Sequence, residues 1–182
     1  MMPERSRDWI GVLLALCTLL PLTSLSAAGS VNRSELDSIE SQLRESLSGV
    51  PPDSGVLIDR ERDRVLLREP VSLLFEPDSA SLKQDALASV PLSATLRVLK
   101  ERRLLSAQVA VYTDSIGGAS ANLSFAKARV KTLCSALREA GISRFRLHQR
   151  AAGQTGALAS NVTPEGRLQN RRVEIVFQRA AS

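Results

Sequence analysis

The chain has 182 residues, of which 43% are apolar, 24% charged and only 3% aromatic, with a formal net charge of +5. These proportions exclude a multi-span membrane protein and a wholly disordered one, and the length allows one domain of ordinary size, near ~100–150 residues, plus a leader or tail. The positive balance admits nucleic acid or an anionic polymer as partner, but so few aromatic side chains leave little for bases to stack on, so nucleic acid is not expected.

Residues 1–28 have the layout of a secretory signal peptide: Arg5 and Arg7, an apolar stretch from Trp9 to Leu20, then Ser26, Ala27 and Ala28. Cleavage after Ala28 satisfies the small-x-small requirement. Two alternatives compete. A lipoprotein signal at Leu14-Ala15-Leu16-Cys17 lacks the small residue needed before its cysteine, and an uncleaved anchor over 9–28 is interrupted by Thr18, Pro21, Thr23, Ser24 and Ser26. Membrane attachment is expected only if this segment is lipidated or retained. Glu4 and Asp8 would leave together with Arg5 and Arg7, so the charge of +5 belongs to the mature part. Cys17 would leave as well. Cys134 then stands alone in an oxidising compartment, inside the helical apolar row Val130, Leu133 and Leu137, and reads as a buried thiol, with an intermolecular bridge as the alternative.

Ser34 to Ser48 predicts an amphipathic helix, with Leu36, Ile39, Leu43 and Leu47 spaced by threes and fours. It is expected to pack on the main domain; the alternative is contact with an envelope partner. Residues 49–55 (GVPPDSG) are a linker, so the chain divides into 1–28, 29–55 and 56–180. Residues 56–59 and 64–68 predict a hairpin, Val71 to Phe75 a third strand, and Ser81 to Arg103 a long helix broken at Pro91. Then come a strand at 108–113, a helix from Ala121 to Ala140 stopped by Gly141, a strand from Phe145 to Ala151, a polar loop from Gly153 to Gln169, and a strand from Val173 to Phe177. The alternation implies an α+β (α/β sandwich) fold with helices laid on a sheet.

Catalysis has little to work with. His148 is the only histidine, no nucleophile has a base beside it, and Asp59, Glu61, Asp53 and Asp63 read as charged turn residues. There is no phosphate loop and too few ligands for zinc, so no enzyme, cofactor or metal is expected. The basic residues are scattered rather than gathered in one run, which suits a polymer bearing carboxylates.

Three stretches carry a sharper signal: LLFEPDSASL (73–82), YTDSIGGASANLSFAKARV (112–130) and NVTPEGRLQNRRVEI (161–175). In spacing and residue type, over about 65–178, they resemble the peptidoglycan-binding OmpA-like domain family, which includes the C-terminal domain of outer-membrane protein A, the peptidoglycan-associated lipoprotein and MotB. The last motif is the most specific, with Asn161, Thr163, Gly166, Arg167, Asn170, Arg171, Arg172 and Val173 at the family's spacing; Thr113, Asp114, Gly117, Asn122 and Arg129 match in the second. The resemblance implies a mixed βαβαβ-type sheet with helices on one face, a periplasmic location and peptidoglycan as partner. It further implies that Asp114 takes the amino group and Arg129 the carboxylate of the stem peptide's diaminopimelate, with Thr113, Asn122, Asn170, Arg171 and Arg172 around them.

The chemistry of those positions agrees. A carboxylate at a strand end and a guanidinium on the next helix form a fixed dipole suited to a zwitterion. The competing reading is an ordinary Asp114–Arg129 ion pair that fixes the loop. If a strand begins at Asn170, Arg171 aligns with Val173, Ile175 and Phe177, and Arg172 with Glu174, so the two arginines point opposite ways. Arg171 would then reach a loop carboxylate such as Asp114, or the ligand. The chain departs from the family pattern at Val111, Phe125-Ala126, Ala151 and Ala157, and the side chains of Val111 and Ala151 are expected to narrow the pocket. A scaffold part of an envelope machine with weak ligand binding is therefore the alternative function.

Overall fold

The computed structural model describes residues 33–179, so the signal-peptide, lipobox and anchor readings of the leader lie outside the described residues. The first element is helix α1 (Arg33–Ser46), whose buried row of Leu36, Ile39 and Leu43 matches the expected helix. α1 packs against α3 (Val90–Glu101) and the hairpin of β1 (Leu57–Arg60) and β2 (Val65–Pro70), and Arg102 hydrogen-bonds Ser38 and Gln42 across that contact. Its apolar row is thus spent on the domain, and the face left for another protein is the polar one.

The remaining elements are a short helix α2 (Val71–Leu74), strand β3 (Leu105–Tyr112), helix α4 (Ala119–Glu139), strand β4 (Leu147–Gly153), helix α5 (Pro164–Asn170) and strand β5 (Arg172–Arg179). The five strands form one mixed sheet in the order β1-β2-β5-β3-β4, with β3 and β4 parallel and the other pairs antiparallel. Alternate residues of the strands, among them Val65, Leu67, Val109, Val111, Val173, Ile175 and Phe177, meet α1, α3 and α4 in one core. The mixed sheet with helices on one face is the architecture expected. Cys134 is fully buried in that core, and desolvation pushes its thiol up to about 11.

Three expectations are corrected. Residues 71–75 are not a strand: Pro70 ends β2, Val71, Leu74 and Phe75 are buried while Ser72 and Leu73 are exposed, and that is helical spacing rather than alternation. The long helix over 81–103 is instead a bridge between Phe75 and Leu82, a 3-10 turn at Ala86–Ala88, and α3 starting at Val90. Pro91 stands in the first turn of α3, where its missing N–H costs nothing, so it starts a helix instead of breaking one. The loop 153–169 contains most of α5, announced by Thr163 as cap and Pro164 as first residue.

The interior also buries polar side chains, among them Thr95, Ser106 and Glu69, each 0% exposed. β2 alternates Val65, Leu67 and Glu69 toward the helices, so Glu69 is 0% exposed, and neither carboxylate oxygen has a hydrogen-bond partner among the described residues. Burial pushes its carboxyl up to about 8, which keeps it protonated at neutral pH.

Candidate functional site

The antiparallel pairings bring the end of β3, the start of β5, the end of β2 and the start of β1 to one edge of the sheet. There they line a cleft of about 1230 Å³, closed on its other sides by residues of α4, α2 and the loops around Pro77 and Leu158. Ligands of open sheets sit at such strand ends.

Asp114 follows β3 directly. Its Oδ1 accepts the backbone N–H of Ile116 at 3.0 Å, and its Oδ2 accepts Nη1 of Arg171 at 3.0 Å. Thr113 anchors the turn, donating its backbone N–H to the Gly153 carbonyl at 2.8 Å and its hydroxyl to the Asp114 carbonyl at 2.8 Å. Asn122, in the first turn of α4, donates to the same Asp114 carbonyl at 3.0 Å and to Oε1 of Gln154 at 3.2 Å. The carboxylate is therefore held from both backbone and side chains.

Arg129 does not pair with Asp114. Its guanidinium lies 4.0 Å from the ring centre of Phe125 and 5.3 Å from that of Phe75, and its Nε donates to the Ser79 carbonyl at 2.8 Å. Among the described residues no hydrogen bond or ion pair engages either Nη. Desolvation lowers the Arg129 pKa, Asp78 opposes that, and the like charge of Arg171 adds to it. The group stays protonated, and its two Nη groups keep their N–H donors for a ligand in the cleft it lines. The ion-pair alternative between Asp114 and Arg129 is thus not what the fold builds.

The motif 161–172 is a lock that aims Arg171. Fully buried Asn170 accepts the N–H groups of Leu158 and Ala159 on its Oδ1 and donates to the Ala159 carbonyl and to Asn161. Asn161 Oδ1 also accepts the Ser115 N–H, which ties this loop to the Asp114 loop. Thr163 caps α5 by accepting the Gly166 N–H at 3.1 Å. Gly166 has no alternative: a Cβ there would stand 1.9 Å from the Ser160 carbonyl oxygen. Arg171 ends α5 and lies just outside β5, which starts at Arg172, and its carbonyl accepts the Val71 N–H at 3.0 Å.

Arg172 takes the opposite side, as its alignment with Glu174 predicts. It is buried, 3.6 Å from the Tyr112 ring centre, and donates to Glu174 at 2.8 Å and to the Gly156 carbonyl at 2.9 Å. Burial alone would raise the Glu174 pKa, but the hydrogen bond and charge of Arg172, helped by Tyr112 and Arg68, hold it below the ordinary value. Arg172 is a strut in the wall of the cleft, its guanidinium already engaged on the far side.

Thr113, Asp114, Asn122, Arg129, Arg171 and Arg172 all line the cleft; Asn170 sits behind it as a bracket. Val111 and Ala151 turn into the core and line no part of it, so the expected narrowing does not occur. The sequence reading gave no site role to Phe75 or Phe125. A signal was present for Phe125, which stands four residues before Arg129 and so on the same helix face.

The OmpA family matches this chain over residues 74–171. The probable lipoprotein YiaD of Escherichia coli (strain K12) is 35% identical over 142 residues, 78% of this chain and 62% of its own length. Peptidoglycan-binding protein ArfA of Mycobacterium tuberculosis (strain ATCC 25618 / H37Rv) is 38% identical over 65 residues, 36% of this chain and 20% of its own. The chain thus spans less than two thirds of either relative. Among solved structures, a putative MotB-like protein from Desulfovibrio vulgaris superposes with TM-score 0.70 at 22% identity, covering 81% of this chain and 94% of that one. The cell wall anchor of the T6SS from Pseudomonas aeruginosa gives 0.65 at 23% identity, over 75% and 96%.

Proposed function

The chain belongs to the OmpA family, and from that premise we propose that it binds cell-wall peptidoglycan non-covalently in the periplasm, tethering an envelope component to the wall. The observation that carries the reading is the carboxylate of Asp114 set beside the guanidinium groups of Arg129 and Arg171, in a cleft whose lining also holds Asp53, Glu76, Asp78, Lys83, Arg68 and Arg172. The free end of diaminopimelate is a zwitterion of matching pattern. Its ammonium group goes to Asp114, whose oxygens use two of about four lone-pair directions on Ile116 and Arg171 and keep the rest for a ligand. Its carboxylate goes to the two free Nη groups of Arg129 in a planar grip, with Arg171 beside it. Names of relatives support the same ligand: ArfA is called a peptidoglycan-binding protein and the Pseudomonas structure a cell wall anchor.

Nothing in the mechanism requires bond making or breaking. Phe75 and Phe125 hold the Arg129 plane, and Asn161, Asn170 and Gly166 hold Arg171, so little conformational freedom is lost on binding. A second reading, a scaffold that has given up tight binding, is favoured by one observation: both oxygens of Asp114 already have partners within the chain.

Co-sedimentation with purified diaminopimelate-type cell wall separates the two. The protein is expected in the pellet, and Asp114→Ala or Arg129→Ala should release it while the circular dichroism spectrum stays that of the folded chain. Each substitution removes charge-assisted contacts of about 1.5–3 kcal/mol, about tenfold to a hundredfold in affinity. Sedimentation indifferent to both substitutions would leave the scaffold reading in place.

A further inference from the structure

The cleft is longer than the zwitterion. Its lining runs from the end of β3 across β5 and β2 to Leu57 of β1, three inter-strand spacings of ~4.8 Å, or about 14 Å. An extended peptide advances about 3.3–3.6 Å per residue, so that span takes about four residues. The volume of about 1230 Å³ likewise exceeds the ~300–1,000 Å³ of sites that hold one small molecule. Asp114, Arg129 and Arg171 occupy only the β3–β5 end.

At the other end stands a wall that precedes residue 74, where the family match begins. It consists of the 3-10 turn Pro52–Ser54, Gly55 and Leu57. The wall is pinned in place. Gly55 has φ +78° and lies so close to Pro70 that a Cβ would stand 2.9 Å from the proline Cγ, Ser54 donates its N–H to the Pro51 carbonyl at 3.0 Å, and Leu57 pairs with Arg68 across the hairpin. Leu57 is nevertheless 52% exposed, and Leu168, 58% exposed, lines the same cleft. Apolar side chains held open to water by a rigid wall, flanked by Asp53 and Arg68 and continuous with the Asp114 site, suit an apolar side chain of a ligand whose zwitterionic end is already seated.

We propose that the wall at Pro52–Leu57 is a second subsite, through which the cleft selects diaminopimelate carried in an extended oligopeptide of about four residues over the free amino acid, an apolar side chain of the peptide resting on Leu57. The subsite rests on the peptidoglycan reading and extends it along the stem peptide.

Titration calorimetry of the purified protein with free meso-diaminopimelate and with a synthetic stem tetrapeptide containing it tests both. The tetrapeptide is expected to bind about tenfold more tightly, the worth of covering one half-exposed leucine. Leu57→Asp should bring the two affinities together without changing that of free diaminopimelate, and Leu57→Ser should remove most of the preference in a milder variant. A preference that is absent, or untouched by either substitution, sinks the subsite. If diaminopimelate binding is lost in Asp114→Ala while the preference ignores Leu57, the peptidoglycan reading survives and the subsite alone fails. If the unaltered protein binds neither ligand, the peptidoglycan reading fails first and takes the subsite with it.

Discussion

Replacing Glu69 by Gln should convert a pH-dependent stability into a flatter one, because Gln keeps the shape of the side chain and cannot ionise. Below the ordinary carboxyl pKa of 4.5, Glu69 is protonated whether the chain is folded or not, and it costs nothing through titration. As pH rises from 4.5 to about 8, the unfolded chain releases the proton while the folded chain keeps it, so stability is lost at about 1.4 kcal/mol per unit, about 5 kcal/mol in all. Above that range both states are ionised and the loss is complete. At pH 7 the loss is about 3 kcal/mol, a large share of the 5–15 kcal/mol that holds a typical domain folded. Urea denaturation of both proteins at pH 5, 6, 7 and 8 gives the assay, since every other titrating group is shared and cancels in the difference. The stability difference should move in favour of the variant by about 1.4 kcal/mol per pH unit across that range. A difference that stays constant from pH 5 to 8 would refute the claim that Glu69 is buried without a partner.

Two further outcomes are expected. Phe125→Leu keeps the apolar contact but removes the ring 4.0 Å from the Arg129 guanidinium; cell-wall affinity measured by sedimentation should fall by about three- to fivefold, with thermal stability nearly unchanged. Gly166→Ala puts a methyl where the Ser160 carbonyl oxygen lies, so the chain should lose about 3 kcal/mol in urea denaturation and most of its wall binding, because α5 can no longer aim Arg171.

The parts of the site that could be read from sequence are those in which one residue type alone satisfies a local demand. Gly166 is dictated by a carbonyl at 1.9 Å, Thr163 by the first turn of α5, and Asn170 by a bracket that needs an acceptor and two donors on one short side chain. The opposed directions of Arg171 and Arg172 were legible too, since strand alternation aligned Arg172 with Glu174. What escaped depends on tertiary neighbours. The apolar run Val71 to Phe75 is too short for its period to be decided without knowing that Pro70 ends a strand. α5 was hidden by its brevity, and Arg129 found aromatic faces instead of Asp114 because Phe75 comes from a segment far away in sequence. Glu69 was invisible for the same reason, because the two faces of β2 differ only once the helices cover one of them.

The place proposed for the ligand's grip has a mechanical consequence. Asp114 continues β3 and Arg171 leads into β5, and these are interior strands, each flanked by a neighbour on both sides. A wall polymer tugging on the cleft would load both strands at once, from the same end and along their length. Neither can be peeled off one rung at a time as an edge strand can; pulled together, they would have to slip against their outer neighbours along both registers, Arg172 to Phe177 against Val65 to Pro70 and Ala107 to Tyr112 against Leu147 to Gly153, in a single event. A tether built this way gives at the ligand before it gives in the sheet.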